Sequence, residues 1–145
     1  YKTHPRRLIV FPLEGKAGLP EIAPPHLPKP VDDPGFEVDD SLASQGALEY
    51  GKCASCHGGG LFSGGMAPDL RASIIPLDFN TFASVVRDGA KADLGMPGRA
   101  DMTDGELEAL RHYIRKSARE FSGYYEEFLQ TRALINQPSS AAPAR

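Results

Sequence analysis

Tyr50-Gly51-Lys52-Cys53-Ala54-Ser55-Cys56-His57-Gly58-Gly59-Gly60 contains the run from which the rest of the chain is read. Cys53 and Cys56 stand three positions apart and His57 comes directly after, which is the C-x-x-C-H spacing of a c-type haem attachment site. Two thiols so spaced can each add across one vinyl group of a haem. The histidine beside the second is then carried to the iron as the proximal ligand. C-x-x-C alone also suits a dithiol redox pair or half of a zinc site. The redox pair expects a βαβ surrounding, and the sequence around Cys53 offers none. A zinc site needs two further ligands, but no other cysteine exists and the remaining histidines are His4, His26 and His112.

Composition narrows the field. A chain of 145 residues suits one domain plus extensions. Its 13 prolines and 15 glycines imply loops and linkers, so the packed unit is smaller than the chain. The net charge is −3 and no basic stripe appears, which argues against a nucleic-acid partner. No apolar run approaches the ~20 residues of a membrane span, so no transmembrane segment is expected. No signal peptide is visible and the first residue is Tyr1, so the chain is expected to be a processed product or a piece of something longer. With both cysteines used by haem, none is left for a disulfide.

Taken in order, residues 1–15 carry Arg6-Arg7-Leu8-Ile9-Val10-Phe11 between prolines, a short β-branched and aromatic run that reads as a lone strand. Unpaired strands are not stable alone in water, so it is expected to belong to a β-rich domain or to dock on a partner sheet; the alternative is an N-terminal arm lying over the haem domain. Residues 16–38 are a proline-rich linker in which Pro24-Pro25-His26-Leu27-Pro28-Lys29-Pro30 favours extended polyproline geometry, a semi-rigid spacer. Residues 39–118 form the expected compact domain. Asp39, Asp40 and Ser41 begin a first helix that delivers Cys53 to the core, and Gly46 within it marks either a close helix crossing or a merely tolerated glycine. Asp78 caps a second helix closed by Gly89, with Phe79, Phe82 and Val86 on one face. Thr103-Asp104-Gly105-Glu106 is a capping box opening a third, which should run to about Ala118. Residues 119–145 are an extension: a possible helix after Gly123, whose apolar face has no evident partner, then a frayed tail.

The second axial ligand has several candidates. Met96, in Gly95-Met96-Pro97, lies 39 residues beyond His57, enough chain to reach the opposite haem face. Met66 is close enough to His57 to strain its loop, Met102 sits beside a helix cap and reads as core, and His112 is expected to point outward. A ligating histidine donates its other ring N–H to a fixed acceptor, and a backbone carbonyl near Pro68 is the natural one. Arg71 is placed either on a haem propionate or in solvent.

Cys53-Ala54-Ser55-Cys56-His57, Ala67-Pro68-Asp69-Leu70, Gly95-Met96-Pro97 and a capped last helix bearing Tyr113 together resemble a class I cytochrome c domain over roughly residues 42–118. That resemblance implies an all-α fold, helices packed round one covalent haem c, with an extended proline-rich arm holding a lone strand. It implies Gly46, Tyr50, Leu110 and Tyr113 at the helix contact, cofactor-binding by Cys53, Cys56, His57, Met96, Pro68 and Arg71, and iron ligation by His57 and Met96. Pro5 to Gly15, the proline-rich linker and this domain look like the C-terminal end of a quinohaemoprotein alcohol dehydrogenase. In such periplasmic enzymes an eight-bladed β-propeller binds pyrroloquinoline quinone (PQQ) and calcium and oxidises an alcohol. The function this likeness implies is electron transfer from a PQQ-containing dehydrogenase domain to another cytochrome, a copper protein or a membrane quinone. PQQ and calcium would sit in a separate or missing domain, and no chemistry on a substrate is expected in this chain. A stand-alone respiratory cytochrome, or a haem sensor or enzyme with an open distal site, are the alternatives.

Overall fold

The computed structural model describes residue 10 and residues 13–15, 27–63 and 65–135. Regular structure among them is entirely helical. Helix α1 spans Asp40–Glu49, α2 Ala54–His57, α3 Phe79–Val86 and α4 Asp104–Ile135, with single 3-10 turns at Tyr50–Lys52, Gly59–Leu61, Leu70–Ala72, Ile75–Leu77 and Ala92–Leu94. This is the all-α architecture the sequence predicts. Most of the strand expected around residues 6–13, residues 16–26 of the linker and the tail beyond Ile135 lie outside the described residues.

The helix starts are set by local chemistry. Asp39 accepts the N–H groups of Ser41 and Leu42 at 2.8 and 2.9 Å. Asp78 accepts that of Thr81 at 2.8 Å. Thr103 N–H donates to Glu106 Oε2 at 2.8 Å while Glu106 N–H donates to Thr103 Oγ1 at 3.3 Å, so each residue satisfies an orphan donor of the other.

Packing turns on the crossing of α1 over α4. A Cβ on Gly46 would stand 2.0 Å from the Ala109 carbonyl oxygen, so the two backbones touch there. One turn on, Tyr50 packs on Tyr113 with ring centroids 5.4 Å apart. Beneath the crossing lie Leu61, Phe82, Val86, Met102, Leu107, Leu110 and Ile114, the buried core.

Three features differ from expectation. First, α4 does not stop near Ala118; it continues unbroken through Gly123 to Ile135. Mid-helix glycine costs about 1 kcal/mol against alanine, whereas burying a phenylalanine contributes about 1.5–3 kcal/mol. Phe121 is 2 % exposed, its ring meeting Phe62, Tyr124 and Phe128 at 5.7, 5.0 and 5.5 Å. The partner missing from the sequence pattern is thus Phe62, from the glycine loop.

Second, residues 27–36 are a strap bound along α4. Proline-rich extended backbone has no internal hydrogen bonds, which leaves its carbonyls free to accept. Arg115 Nη1 donates to Val31 O at 3.2 Å, Arg119 Nη2 to Asp33 O and Phe36 O at 2.8 and 2.9 Å, and the Tyr125 hydroxyl to Leu27 O at 2.7 Å. Third, His112 turns inward. Its Nδ1 accepts Asp39 N–H at 2.9 Å, its Nε2 lies 3.3 Å from Glu108 Oε1, and its ring packs against Phe36. The acceptor role ties α4 to the start of α1 and takes His112 out of contention as an iron ligand.

Candidate haem site

The motif sits where α1 ends. Cys53 comes after the 3-10 turn that continues α1, and α2 is the single turn beyond it, closed by His57 N–H to Cys53 O at 3.0 Å and Gly58 N–H to Ala54 O at 2.9 Å. Cys53, Cys56 and His57 therefore stand at i, i+3 and i+4 and share one side of the turn. Cys53 is half-buried, Cys56 is exposed and His57 is buried. Burial pushes the Cys53 thiol up, with Arg99 and Lys52 pulling weakly the other way. A dithiol redox site needs a thiolate stabilised below the ordinary range, so this environment disfavours that reading.

His57 Nδ1 lies 2.9 Å from the Pro68 carbonyl oxygen, the acceptor expected from the sequence. A carbonyl can only accept, so Nδ1 carries the proton and Nε2 keeps its lone pair for a metal. The loop that returns the chain to Pro68 requires glycine at position 58. Its φ is +85° and a Cβ there would stand 1.8 Å from Phe62 O. The Tyr50 hydroxyl donates to Gly58 O at 2.5 Å, and burial pushes its phenol up to about 12, so it remains a donor across the physiological range. Leu61 adopts a left-handed backbone (φ +68°) while fully buried; its packing offsets a strain of about 1–3 kcal/mol.

Met96 comes from the loop between α3 and α4. Arg99 N–H donates to Val86 O at 2.8 Å and closes the base of that loop. Gly98 packs there on Gly89, where a Cβ would stand 3.0 Å from Gly89 backbone. Within it, Gly95 (φ +89°) turns the chain and Met96 N–H donates to Lys91 O at 3.2 Å. The half-buried Met96 packs on the same core as Cys53, Ala54, Leu70, Ile75, Phe79 and Tyr113. Of the other sulfurs, Met66 is 66 % exposed and Met102 is 3 % exposed within the core.

The donor set fits a haem c. Two thiols, an imidazole with its outer nitrogen already committed, and a thioether on the same apolar rim are the groups such a cofactor uses. The rim of partly buried apolar side chains is the surface a flat hydrophobic ring would cover. Among the described residues, no three His, Cys, Asp or Glu side chains gather in a metal-binding group, so no tetrahedral zinc set forms around Cys53.

Arg71 is not directed to the rim. It is 4 % exposed, with Nε 3.0 Å and Nη2 2.6 Å from the Asp69 carboxylate. Its guanidinium sits in the corner that the Phe62 and Phe121 rings make edge to face, 4.2 and 4.1 Å from their centroids. The sequence held a partial signal: Asp69 is two residues away and caps the turn that bears Arg71. The aromatic corner had none, because Phe121 is 50 residues on.

Residues 42–114, half of the chain, match the family described as cytochrome c oxidase, cbb3-type, subunit III. The chain belongs to this cytochrome c family. It is 38 % identical over 121 residues to a quinohemoprotein alcohol dehydrogenase of Pseudomonas putida, covering 81 % of this chain and 17 % of that protein. It is 37 % identical over 119 residues to lupanine 17-hydroxylase [cytochrome c] of a Pseudomonas species, covering 79 % and 16 %. To the dehydrogenase subunit of the quinone-type alcohol dehydrogenase of Gluconobacter oxydans it is 37 % identical over 124 residues, covering 79 % and 15 %. The chain thus spans about a sixth of the length of the curated relatives it matches. As a cytochrome c domain it carries covalent haem c and serves electron transfer. Among the described residues no helix is long and apolar enough to cross a membrane.

Proposed function

We propose that this cytochrome c domain takes electrons from PQQ in a quinohaemoprotein dehydrogenase that oxidises an alcohol, and passes them to an external acceptor in the periplasm. The observation that carries the reading is the extent of similarity. The alignments to these relatives run to 119–124 residues, whereas the family match covers only residues 42–114. Likeness therefore extends beyond residues 42–114 into the segments that flank them. A freely diffusing carrier has no reason to share those segments with a dehydrogenase.

In this reading Cys53 and Cys56 would hold the ring by two thioethers, and His57 Nε2 and Met96 Sδ would hold the iron. The bound haem supplies one-electron chemistry. Pro68 fixes the imidazole, and the closed 87–99 loop fixes the sulfur, so that little rearranges on reduction. Oxidation of an alcohol to a carbonyl releases two electrons and two protons, so the domain is loaded twice per turnover. Residues 1–15 belong to the end of the propeller, residues 16–38 connect the two domains, and PQQ and calcium belong to the propeller. The acceptor is another cytochrome, a copper protein or a membrane quinone.

The test is anaerobic. The protein purified from its native host is mixed with a panel of alcohols, and with lupanine, while the haem spectrum is monitored. Reduction by a member of the panel supports the reading. A haem that ascorbate reduces but no member of the panel does, on a chain that migrates at 15.6 kDa, marks a stand-alone carrier instead.

A further inference from the structure

We propose that Phe62, Phe121, Arg71 and Asp69 are positioning residues for the axial histidine, so that the C-terminal part of α4 sets the reduction potential of the haem. The inference rests on the reading of His57 as the proximal ligand and goes beyond it. The carbonyl facing His57 Nδ1 belongs to the peptide unit that joins Pro68 to Asp69. Whatever fixes Asp69 therefore fixes that carbonyl.

Asp69 is held from its own side chain outward. Its Oδ1 accepts the Arg71 N–H at 3.0 Å and Arg71 Nε at 3.0 Å, and its Oδ2 accepts Nη2 at 2.6 Å. Both side chains of the pair are almost fully buried, at 5 % and 6 % exposure. The cation sits in the corner of two rings that stand edge to face, 78° apart with centroids 5.7 Å from each other; both attract it electrostatically and together they wall it on two adjacent sides, which limits its rotation. One ring is Phe62, from the loop below the motif; the other is Phe121, on α4 beyond the family match. The rest of the segment is fastened too. Leu70 O accepts from Arg115 Nη2 at 3.2 Å and Arg71 O accepts from Val31 N–H at 2.9 Å. The carbonyls of Pro68, Leu70 and Arg71 are thus spoken for by His57, by α4 and by the strap.

The consequence for the haem has a definite sign. A firm N–H···O bond at Nδ1 makes the imidazole a stronger donor at Nε2, and a stronger donor favours the ferric state. Loosening this aromatic corner weakens that bond, so the midpoint potential rises.

The experiment uses the full 145-residue chain loaded with haem, and two readouts: the midpoint potential, and the exchange rate of the His57 Nδ1 proton in the ferrous protein by NMR. Phe121→Leu removes one ring face while keeping apolar volume. Phe62→Leu removes the other at a site that is 40 % exposed, so its folding is secure. Both are expected to raise the potential and to speed exchange on the order of tenfold, the mark of a locally opened hydrogen bond. Val85→Ala, buried in α3 but outside the haem-side core, lowers stability without touching the segment and is expected to move neither. An unchanged potential and exchange rate in Phe62→Leu and Phe121→Leu, with only the melting temperature lowered, would overturn the proposal. Failure of the underlying ligand assignment would look different: the unmutated protein would then lack the Nδ1 proton resonance of an axial histidine.

Discussion

Replacing Gly46 by alanine puts a methyl group where the backbone of α4 already stands. The new Cβ would lie 2.0 Å from Ala109 O, 2.5 Å from Ala109 C and 2.9 Å from Leu110 N. A carbon rests no closer than about 3.3 Å to a carbonyl oxygen, so α1 and α4 must part by ~1.3 Å. Nothing flexible can yield, because all three atoms belong to the helix backbone. Overpacking of this kind costs about 3 kcal/mol, the upper end of the usual range, and the gain in helix propensity returns about 1 kcal/mol. The net loss of about 2 kcal/mol corresponds to a fall of roughly 6–8 °C in melting temperature for a chain of this size. Gly123→Ala is the internal control. It lies in α4 with nothing within 4 Å of its Cβ and should stabilise by about 0.5–1 kcal/mol. Both are measured by thermal unfolding of the haem-loaded chain, monitored by helical circular dichroism. If Gly46→Ala melts at or above the parent temperature, the two backbones do not meet at position 46 and the reasoning is refuted.

Other substitutions probe the site and its supports. Met96→Ala should lower the midpoint potential and abolish the sulfur-to-iron charge-transfer band, while Met66→Ala leaves both in place; a visible spectrum and potential untouched by Met96→Ala would give the ligand role to another group. Tyr50 has its phenol raised from 10.0 to about 12 by burial, so its contribution is fully present below pH 10 and declines as pH rises from 10 to 12. The stability advantage over Tyr50→Phe, read by denaturant titration, should therefore shrink across that window; an advantage that grows there would contradict the burial account. Arg119→Ala removes the donor to Asp33 O and Phe36 O and should speed proteolytic cleavage within residues 27–36, with little change in the haem spectrum. Cleavage at the parent rate would mean that the strap is held by other contacts.

What could be read from the chain alone was local. Cys53, Cys56 and His57 declare themselves by spacing, and Asp39, Asp78, Thr103 and Glu106 by acceptor oxygens placed at the starts of apolar stripes. Gly46 stood out because a glycine inside a helix asks for a reason. The Pro68 carbonyl was legible for the same cause: a ligating imidazole needs an acceptor, and proline ends a loop short enough to supply one.

The misread features depend on contacts between residues far apart in sequence. Gly123 suggested a break in α4 because its propensity cost is visible and the burial of Phe121 and Tyr125 is not. Leu27 to Phe36 reads as a spacer because its prolines are conspicuous, whereas the arginines that bind its carbonyls lie some 80 residues later. His112 occupies a helix position that would suit solvent until the N–H of Asp39, 73 residues away, is brought against it. Arg71 on a propionate was a reasonable reading of a lone cation near a haem; its capture by Asp69 depended on two rings that only the folded chain assembles.

The central claim is that Cys53 and Cys56 hold a haem covalently, and intact mass under denaturing conditions tests it most directly. The full chain, produced with a haem c maturation system and unfolded in acid, should appear at its own 15.6 kDa plus the mass of one haem. A bare chain, with the haem absent or released on unfolding, would contradict the account.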